Sequence, residues 1–293
     1  MEKSKVYFTR KITPEKIVEM YQTVGKELPG KVAVKVHSGE EGNQNYLHPE
    51  FMKKMIEHVH GTVVECNTAY AGARNTTEKH EKLMEDHGWS KYFNVDIMDS
   101  EGPDFVIDIP DGKVIKKNYL GKNIKNYDSM LVLSHFKGHP MGGYGGALKQ
   151  LSIGCASSYG KSYIHTNGKE DAVYDDFFTA DHDRFLESMA DAASSVVKYF
   201  KGNIVYINIM CNMSVDCDCC AKAEDPCMKD IGILASLDPI AIDQACIDLV
   251  YQSLDPGKDH LIERIESRNG IHTIEAAGEL GFGNREYELI EVE

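Results

Sequence analysis

Short apolar segments alternate with amphipathic segments along much of the chain. The first clear example is Lys31 to Val36 (KVAVKV), in which charged and apolar residues alternate as in a β-strand. A polar loop that starts at His37 (HSGEEGN) follows. His48-Pro49 then opens a segment with apolar residues at helical spacing, since proline is tolerated in a first helical turn. The order strand, loop, helix is the repeating unit of an α/β fold.

The same order recurs further along the chain. Thr62 to Cys66 predicts a strand, residues 67–75 a loop, and Thr76 to His87 a helix. Met130 to Leu133 predicts a third strand, and Asn203 to Met210 (NIVYINIM) is apolar enough to be buried on both faces. Loops that leave the carboxyl ends of parallel strands converge on one edge of a sheet. We therefore expect the loops after the first three strands to face one cleft.

Helices are also predicted in the second half of the chain. The periodicity favours helices at Phe185 to Phe200, at Ile240 to Tyr251 after the capping pair Asp238-Pro239, and from about Ile271 to Leu280. The sequence contains neither an internal repeat nor a low-complexity tract. Residues 1–293 are therefore interpreted as a single α/β unit, with mostly parallel sheets and flanking helices.

The net charge disfavours several classes of partner. Lys and Arg number 32 against 46 Asp and Glu, which gives a formal net charge of -14. Such a surface repels nucleic-acid backbones and anionic lipid heads, and no apolar stretch approaches the roughly 20 residues that cross a bilayer. We expect a cytoplasmic protein that binds a small-molecule substrate or cofactor, with neither nucleic acid nor membrane as a partner.

Residues 134–165 (SHFKGHPMGGYGGALKQLSIGCASSYGKSYIH) carry the most informative chemistry. Four glycines precede a predicted helix, and their lack of Cβ atoms lets backbone N–H groups approach an anion or a flat cofactor. They are Gly142, Gly143, Gly145 and Gly146. Lys149 follows about one helical turn after Gly145 and is a candidate cofactor-binding residue, although an exposed surface lysine has the same spacing.

Three histidines accompany these glycines. His135 and His139 flank Lys137-Gly138 directly after a buried strand, and either imidazole could accept or donate a proton or bind a metal. Structural or surface histidines are the alternative. His165 follows a run of small residues and has weaker local context.

Five of the eight cysteines lie between Cys211 and Cys227. Thiolates bind soft or borderline metals, so this loop is a candidate zinc site or iron–sulfur site, separate from the histidine segment. The candidate ligands are Cys217, Cys219, Cys220 and Cys227. Their spacing matches neither a zinc ribbon nor a ferredoxin run, and reduced cysteines packed as small apolar side chains are the alternative. Cys66, Cys155 and Cys246 are interpreted as core residues.

Other polar residues adjoin the first two predicted loops. His37, Glu40 and Glu41 could add a proton acceptor or a hard-metal ligand. Arg74 and His80 follow the second strand, where an arginine could pair with a substrate carboxylate. A merely solvated loop is the alternative.

The segment around Lys149 resembles the lactate racemase superfamily, whose signature is a histidine, a Gly-Gly-x-Lys and a later histidine. The corresponding residues are His139, Gly145 to Lys149 in slightly lengthened form, and His165. The resemblance implies that Lys149 anchors a nickel pincer nucleotide, that His165 coordinates nickel, and that His139 is an acid or base. It also implies a two-lobed fold with a cleft, and isomerisation or redox chemistry at a hydroxy-acid carbon.

Over nearly its whole length the chain resembles the iron–sulfur-centre proteins of domain-of-unknown-function family 362. The segments that carry this resemblance are KVAVKVHSGEEGN, SHFKGHPMGGYGGALK and DIGILASLDPIAIDQA. Two features depart from the related patterns. The CxxCxxCxxxCP insert of many members is absent, and polar residues 43–49 replace the arginine-containing loop of lactate racemases.

Three functions therefore stay open. The first is a metal-dependent isomerase or oxidoreductase that acts on a small hydroxy-acid-like molecule. The second is an iron–sulfur or redox protein with a cysteine-ligated centre and a redox partner. The third is a zinc-thiolate binding module without catalysis.

Overall fold

The computed structural model describes residues 3–293. The strands are β1 (Ser4–Thr9), β2 (Val32–Lys35), β3 (Thr62–Glu65), β4 (Val95–Ile97), β5 (Phe105–Asp108), β6 (Lys117–Leu120), β7 (Ser129–His135), β8 (Lys137–His139), β9 (Gly143–Gly145), β10 (Ile204–Met210), β11 (Gly232–Ser236) and β12 (Tyr287–Glu291). The helices are α1 (Pro14–Val24), α2 (Pro49–His58), α3 (Thr77–Asp86), α4 (Trp89–Tyr92), α5 (Ala147–Lys149), α6 (Ser158–His165), α7 (His182–Tyr199), α8 (Pro239–Gln252), α9 (Lys258–Ser267) and α10 (Ile271–Glu279). Short 3₁₀ or π turns lie at Lys122–Asn126, Gln150–Gly154 and Tyr174–Phe178.

Eight strands form the main sheet, in the order β12-β1-β11-β10-β7-β2-β3-β4. The neighbours from β10 to β4 pair in parallel, whereas β11 is antiparallel to both β10 and β1. The hairpins β5-β6 and β8-β9 are separate from this sheet. The mostly parallel α/β fold predicted from the sequence is thereby confirmed.

Both faces of the sheet are covered by helices. On β7, Met130 and Val132 pack into the apolar cluster that includes α7, α8 and α10. Leu131 and Leu133 point to the opposite face and pack with α1 and α2. Successive side chains of a strand alternate between faces, so a strand buried on both sides needs apolar residues at nearly every position.

The capping signals place the helix starts as expected. Thr76 accepts a hydrogen bond from the Lys79 N–H at the start of α3, and Asp238 accepts from two N–H groups at the start of α8. Strand β11 was not predicted from periodicity, although it lies within the DIGILASLDP motif. The expected division into two lobes stays a prediction. The eight strands of the main sheet do not mark a boundary between lobes.

The carboxyl ends of β2, β3, β7 and β10 are neighbours in the sheet. The loops that leave them carry His37, Arg74, His139 and Cys219, and all four of these residues line one cavity. Within residues 3–293, no helix is both long enough and apolar enough to cross a membrane.

Candidate functional site

A cavity of about 530 Å³ opens at this edge of the sheet. Its volume falls in the range of sites that hold a cofactor or a drug-sized ligand. Side chains with acid/base or ligand chemistry line much of its wall: Lys35, His37, Glu40, Glu41, Glu65, Arg74, His139, Lys149, Lys161, His165, Cys219 and Cys220. Lys149 and His165 therefore share a cavity, as the sequence analysis required.

His139, Cys217 and Cys219 bring one nitrogen and two sulfurs to within 4.8 Å of one another. The His139 Nε2 lies 3.9 Å from Cys219 Sγ, and Lys149 Nζ lies 3.6 Å from Cys217 Sγ. The cysteine loop was expected to be a separate centre. The fold instead joins it to the histidine and lysine segment, because β7 and β10 are adjacent parallel strands.

The sulfur of Cys217 is surrounded by donors and positive charge. Burial alone would raise the pKa of Cys217, but the hydrogen bond from Cys219 and the charges of Lys149 and Lys137 hold it well below its ordinary value. Conversely, burial would lower the pKa of Lys149, and the Cys217 thiolate opposite raises it. The contact thus favours the thiolate–ammonium form of Cys217 and Lys149, and a thiolate is the form of cysteine that binds metal or acts as a nucleophile.

The backbone fixes the tautomer of His139. Its Nδ1 accepts hydrogen bonds from the N–H groups of Met141, at 3.2 Å, and Gly142, at 2.8 Å. Burial and the charge of Lys149 lower the pKa of His139 to about 4, so the ring is neutral at pH 7. In a neutral ring whose Nδ1 accepts, the proton sits on Nε2. A metal can bind Nε2 only if the ring proton moves to Nδ1, which breaks the two backbone hydrogen bonds, whereas the lowered pKa of Cys217 favours a thiolate with a free lone pair.

Gly138 lets the two halves of the site approach each other. A Cβ atom on this residue would lie 2.2 Å from the Val215 carbonyl oxygen, and the Gly138 N–H donates to the Ser214 carbonyl at 2.8 Å. This contact holds β8, which ends at His139, directly against the cysteine loop. Glycine is required here because real Cβ atoms do not come so close to backbone.

Asp218 holds the cysteine loop in place from its buried side. Its carboxylate is 1% exposed and accepts hydrogen bonds from Lys137 Nζ, at 2.6 Å, and from His135 Nδ1, at 3.0 Å. Burial would raise the pKa of Asp218, but the charges of His135 and Lys137 hold it well below its ordinary range. The network fixes the two cysteines that flank Asp218.

His135 belongs to this anchor and does not line the cavity. Its Nε2 lies 2.6 Å from the Cys211 carbonyl oxygen while Nδ1 faces Asp218, so both ring nitrogens are occupied by acceptors. The catalytic role expected for His135 would need a free ring nitrogen at the cavity. The geometry assigns it the positioning of the cysteine loop instead.

The loop after β2 holds the other side of the cysteine loop. Asn43 Nδ2 donates to the Cys220 carbonyl at 2.8 Å, and Asn45 Nδ2 donates to the Glu224 carbonyl at 2.8 Å. The backbone N–H of Glu40 donates to the Asp218 carbonyl at 2.8 Å. The polar loop after β2 therefore holds the backbone of the cysteine loop by hydrogen bonds and also forms part of the cavity wall.

His165 presents a free acceptor to the cavity. Its Nδ1 donates to the Lys161 carbonyl at 2.7 Å, which leaves the lone pair of the neutral ring on Nε2. Burial lowers the pKa of His165 to about 3. The ring stacks on Phe177 and Phe185, with centroids 4.5 and 4.8 Å away, so its orientation is fixed.

The four glycines do not form the expected anion platform. Gly142, Gly143, Gly145 and Gly146 lie outside the set of cavity-lining residues. The N–H groups of Ala147 and Leu148 at the start of α5 donate to the buried Asp243 carboxylate, at 2.8 and 2.9 Å. A Cβ on Gly146 would lie 2.5 Å from the Asp243 Oδ1. The helix start is thus satisfied by the protein's own carboxylate, and the glycines serve close packing.

The remaining cysteines lie outside the group of three ligand atoms. Cys227 donates to the Met213 carbonyl at 3.2 Å, and Cys211 lies buried at the end of β10. Cys220 lines the cavity but lies outside the group of three ligand atoms. Cys66, Cys155 and Cys246 are buried, as expected for core residues, and Cys66 also touches the cavity.

Arg74 and His80 are engaged by the protein itself. Arg74 Nε donates to Glu40 at 3.1 Å, and its second nitrogen donates to the Tyr70 hydroxyl at 3.0 Å. His80 is fully buried beside Asn67 and does not line the cavity. The Arg74 guanidinium therefore lines the cavity with its charge already paired with the Glu40 carboxylate.

Sequence reasoning missed Asp218, Lys137 and Lys161. Asp218 was not singled out although it stands between two candidate cysteine ligands, and Lys137 was noted only as a neighbour of two histidines. A charged residue between two metal-ligand candidates, as in Cys-Asp-Cys, is a usable signal, because a buried carboxylate needs partners. Lys161 gave no local signal, since its importance depends on burial.

The surroundings of Lys149 do not favour the lysine-tethered cofactor that the lactate racemase resemblance implies. A covalent anchor on Lys149 requires an uncharged, nucleophilic amine, whereas this amine is held charged against the Cys217 thiolate. The nearby N–H groups that could cradle phosphate are taken by Asp243. The nickel pincer nucleotide stays a prediction of the resemblance and enters no step below.

Comparisons with known proteins show the following. The lactate racemase apoprotein from Thermoanaerobacterium thermosaccharolyticum is similar with a TM-score of 0.41 and 15% identity, over 69% of this chain and 50% of that one. A protein from Thermotoga maritima, solved by a structural genomics consortium, has a TM-score of 0.45 and 11% identity, over 91% of this chain and 59% of that one. The chain thus spans between half and three-fifths of these structures. No curated protein matches. A family model described as a domain of unknown function (DUF362) matches residues 32–248.

Proposed function

Since the chain belongs to the DUF362 family, we propose that it is a metal-dependent enzyme whose metal is held by Cys217, Cys219 and His139. The observation that carries the proposal is the convergence of their three ligand atoms within 4.8 Å at the edge of the cavity. Two sulfurs and an imidazole favour a soft or borderline metal such as zinc.

The number of ligands favours catalysis over a purely structural site. Structural zinc sites have four protein ligands, whereas catalytic sites have three and leave one position for water or substrate. An iron–sulfur cluster takes four cysteines, and among residues 3–293 the group of ligand atoms contains two. The iron–sulfur and structural-zinc alternatives are therefore less favoured.

The cavity supplies acid/base chemistry beside this centre. His165 is neutral, and its Nε2 lone pair is available to accept a proton from a bound molecule. A metal at the two cysteines would act as a Lewis acid on an oxygen of the same molecule. We propose isomerisation or redox chemistry on a small hydroxy-acid-like substrate.

The ligands should differ in strength. The lowered pKa of Cys217 favours its thiolate, while His139 must move its ring proton to Nδ1 and lose two backbone hydrogen bonds when metal binds. Loss of a sulfur should therefore weaken metal binding more than loss of the imidazole. Cys227 provides a matched control, because it is a partly buried cysteine outside the group.

The test is metal content and cobalt binding under anaerobic conditions. The wild-type protein and Cys227→Ser should each bind about one equivalent of cobalt with a sulfur-to-cobalt charge-transfer band. Cys219→Ser should bind cobalt more weakly and with a less intense band, since only the Cys217 sulfur remains, and His139→Gln should keep the full band at reduced affinity. A wild-type protein that takes up neither zinc, cobalt nor nickel, or a Cys219→Ser variant that binds like wild type, contradicts the proposal.

A dithiol redox centre is the second candidate, favoured by the hydrogen bond between Cys219 and the Cys217 thiolate. In this function the Cys217 thiolate and the Cys219 thiol lose two electrons and one proton to a disulfide oxidant such as oxidised glutathione, which becomes one thiol and one thiolate. A Cys217–Cys219 disulfide found by mass spectrometry in a protein that binds no metal would favour this candidate.

A further inference from the structure

Lys161 differs from the other cations of the cavity. Lys35 is 2.6 Å from Glu65, Arg74 is 3.1 Å from Glu40, and Lys149 faces the Cys217 thiolate. Lys161 is 7% exposed, and in the part of the chain that the structure describes no carboxylate lies within 4.0 Å of its ammonium. Its Nζ donates to the Ala156 carbonyl at 2.6 Å.

This arrangement leaves Lys161 under-compensated. An ammonium group carries three donors, of which the protein satisfies one. A buried charge without a contacting counter-ion is costly. Burial lowers the pKa of Lys161, and the acidic groups Cys66, Asp99 and Glu65 at longer range offset this only in part. Because Lys161 lines the cavity, a bound anion could supply the missing counter-charge.

We propose that Lys161 is the carboxylate-binding residue of the cavity. The inference rests on the proposed function and names the chemical class of its substrate. His165 shares α6 with Lys161, and the carbonyl of Lys161 fixes its tautomer. A carboxylate held by the ammonium therefore lies in the same cavity as the neutral proton acceptor.

The surroundings favour a singly charged carboxylate over phosphate. A lone lysine is a point charge, whereas phosphate sites draw on helix N-termini and arginine forks. Here Asp243 occupies the N–H groups of α5, and Arg74 is paired with Glu40. Glu40, Glu41 and Glu65 also line the cavity and would repel a second negative charge.

The experiment compares glycolate, its neutral amide glycolamide, and inorganic phosphate as ligands, by titration calorimetry. Wild type should bind glycolate more tightly than glycolamide or phosphate. Lys161→Met should weaken glycolate binding by roughly tenfold or more, as expected for loss of a charge-assisted hydrogen bond. Lys169→Met, at an exposed lysine, should bind glycolate like wild type.

Thermal unfolding without ligand separates recognition from a structural role. Lys161→Met should unfold at the same temperature as wild type or a higher one, because it removes a buried charge that lacks a counter-ion. A lower unfolding temperature, unchanged glycolate binding, or tighter binding of phosphate would overturn the proposal.

The Cys219→Ser background distinguishes the two proposals. If this variant still binds glycolate with the same dependence on Lys161, the carboxylate site stands whether or not the metal proposal does. If wild type binds metal but Lys161→Met binds glycolate unchanged, the carboxylate site fails while the metal proposal stands.

Discussion

The substitution Gly138→Ala tests whether close approach of two loops builds the site. The new Cβ would lie 2.2 Å from the Val215 carbonyl oxygen and 2.6 Å from its carbon, so the backbone of the cysteine loop must move away by about 1 Å. That movement also weakens the hydrogen bond from Gly138 to Ser214. Overpacking of this kind costs about 1–3 kcal/mol and a lost hydrogen bond about 1 kcal/mol, so we expect a loss of about 2–4 kcal/mol.

Gly145→Ala is the matched control in the same hairpin. A Cβ on Gly145 would meet only side-chain carbons of Lys137 and Lys149, at 3.6 Å, which is ordinary contact. Urea unfolding gives the free energy of unfolding of each variant, and cobalt titration reports whether His139 still reaches the sulfurs. We expect Gly145→Ala to resemble wild type in both assays. If Gly138→Ala unfolds within about 0.5 kcal/mol of wild type and binds cobalt equally, the packing argument is refuted.

Two further predictions concern buried carboxylates. Asp218→Asn should lower the free energy of unfolding by about 3–5 kcal/mol, because the buried Lys137 ammonium loses its counter-charge and His135 loses a hydrogen-bond acceptor. Asp216→Asn, at a more accessible ion pair, should cost about 1 kcal/mol or less. Equal losses in urea unfolding would count against the anchor. Burial raises the pKa of Asp243 from 3.8 to about 6, so the folded protein keeps a proton that the unfolded chain releases. Wild type should therefore lose about 3 kcal/mol relative to Asp243→Asn as the pH rises from about 3, below the unfolded pKa, to about 7, above the folded pKa. A difference that does not change with pH would contradict this.

Helix starts and buried strands could be predicted from the local sequence. Thr76, Pro49 and Asp238 marked helix starts because capping and first-turn geometry involve only neighbouring residues. The apolar runs of β7 and β10 indicated buried parallel strands, since burial on both faces leaves a direct trace in composition. The sequence therefore determined the α/β class, most of the central strands and the edge at which polar loops converge.

Only the tertiary structure decided which of the marked residues meet. Cys217 lies 78 positions after His139, and their contact follows from the pairing of β7 with β10 and from the close approach at Gly138. The glycines before Lys149 have the pattern of an anion-binding loop. In the fold, the N–H groups that follow them, on Ala147 and Leu148, donate to Asp243, which lies almost 100 positions later in the sequence. Lys161 is an ordinary lysine in the sequence and an unpaired cation in the fold, because burial and the absence of a nearby carboxylate in residues 3–293 are properties of packing.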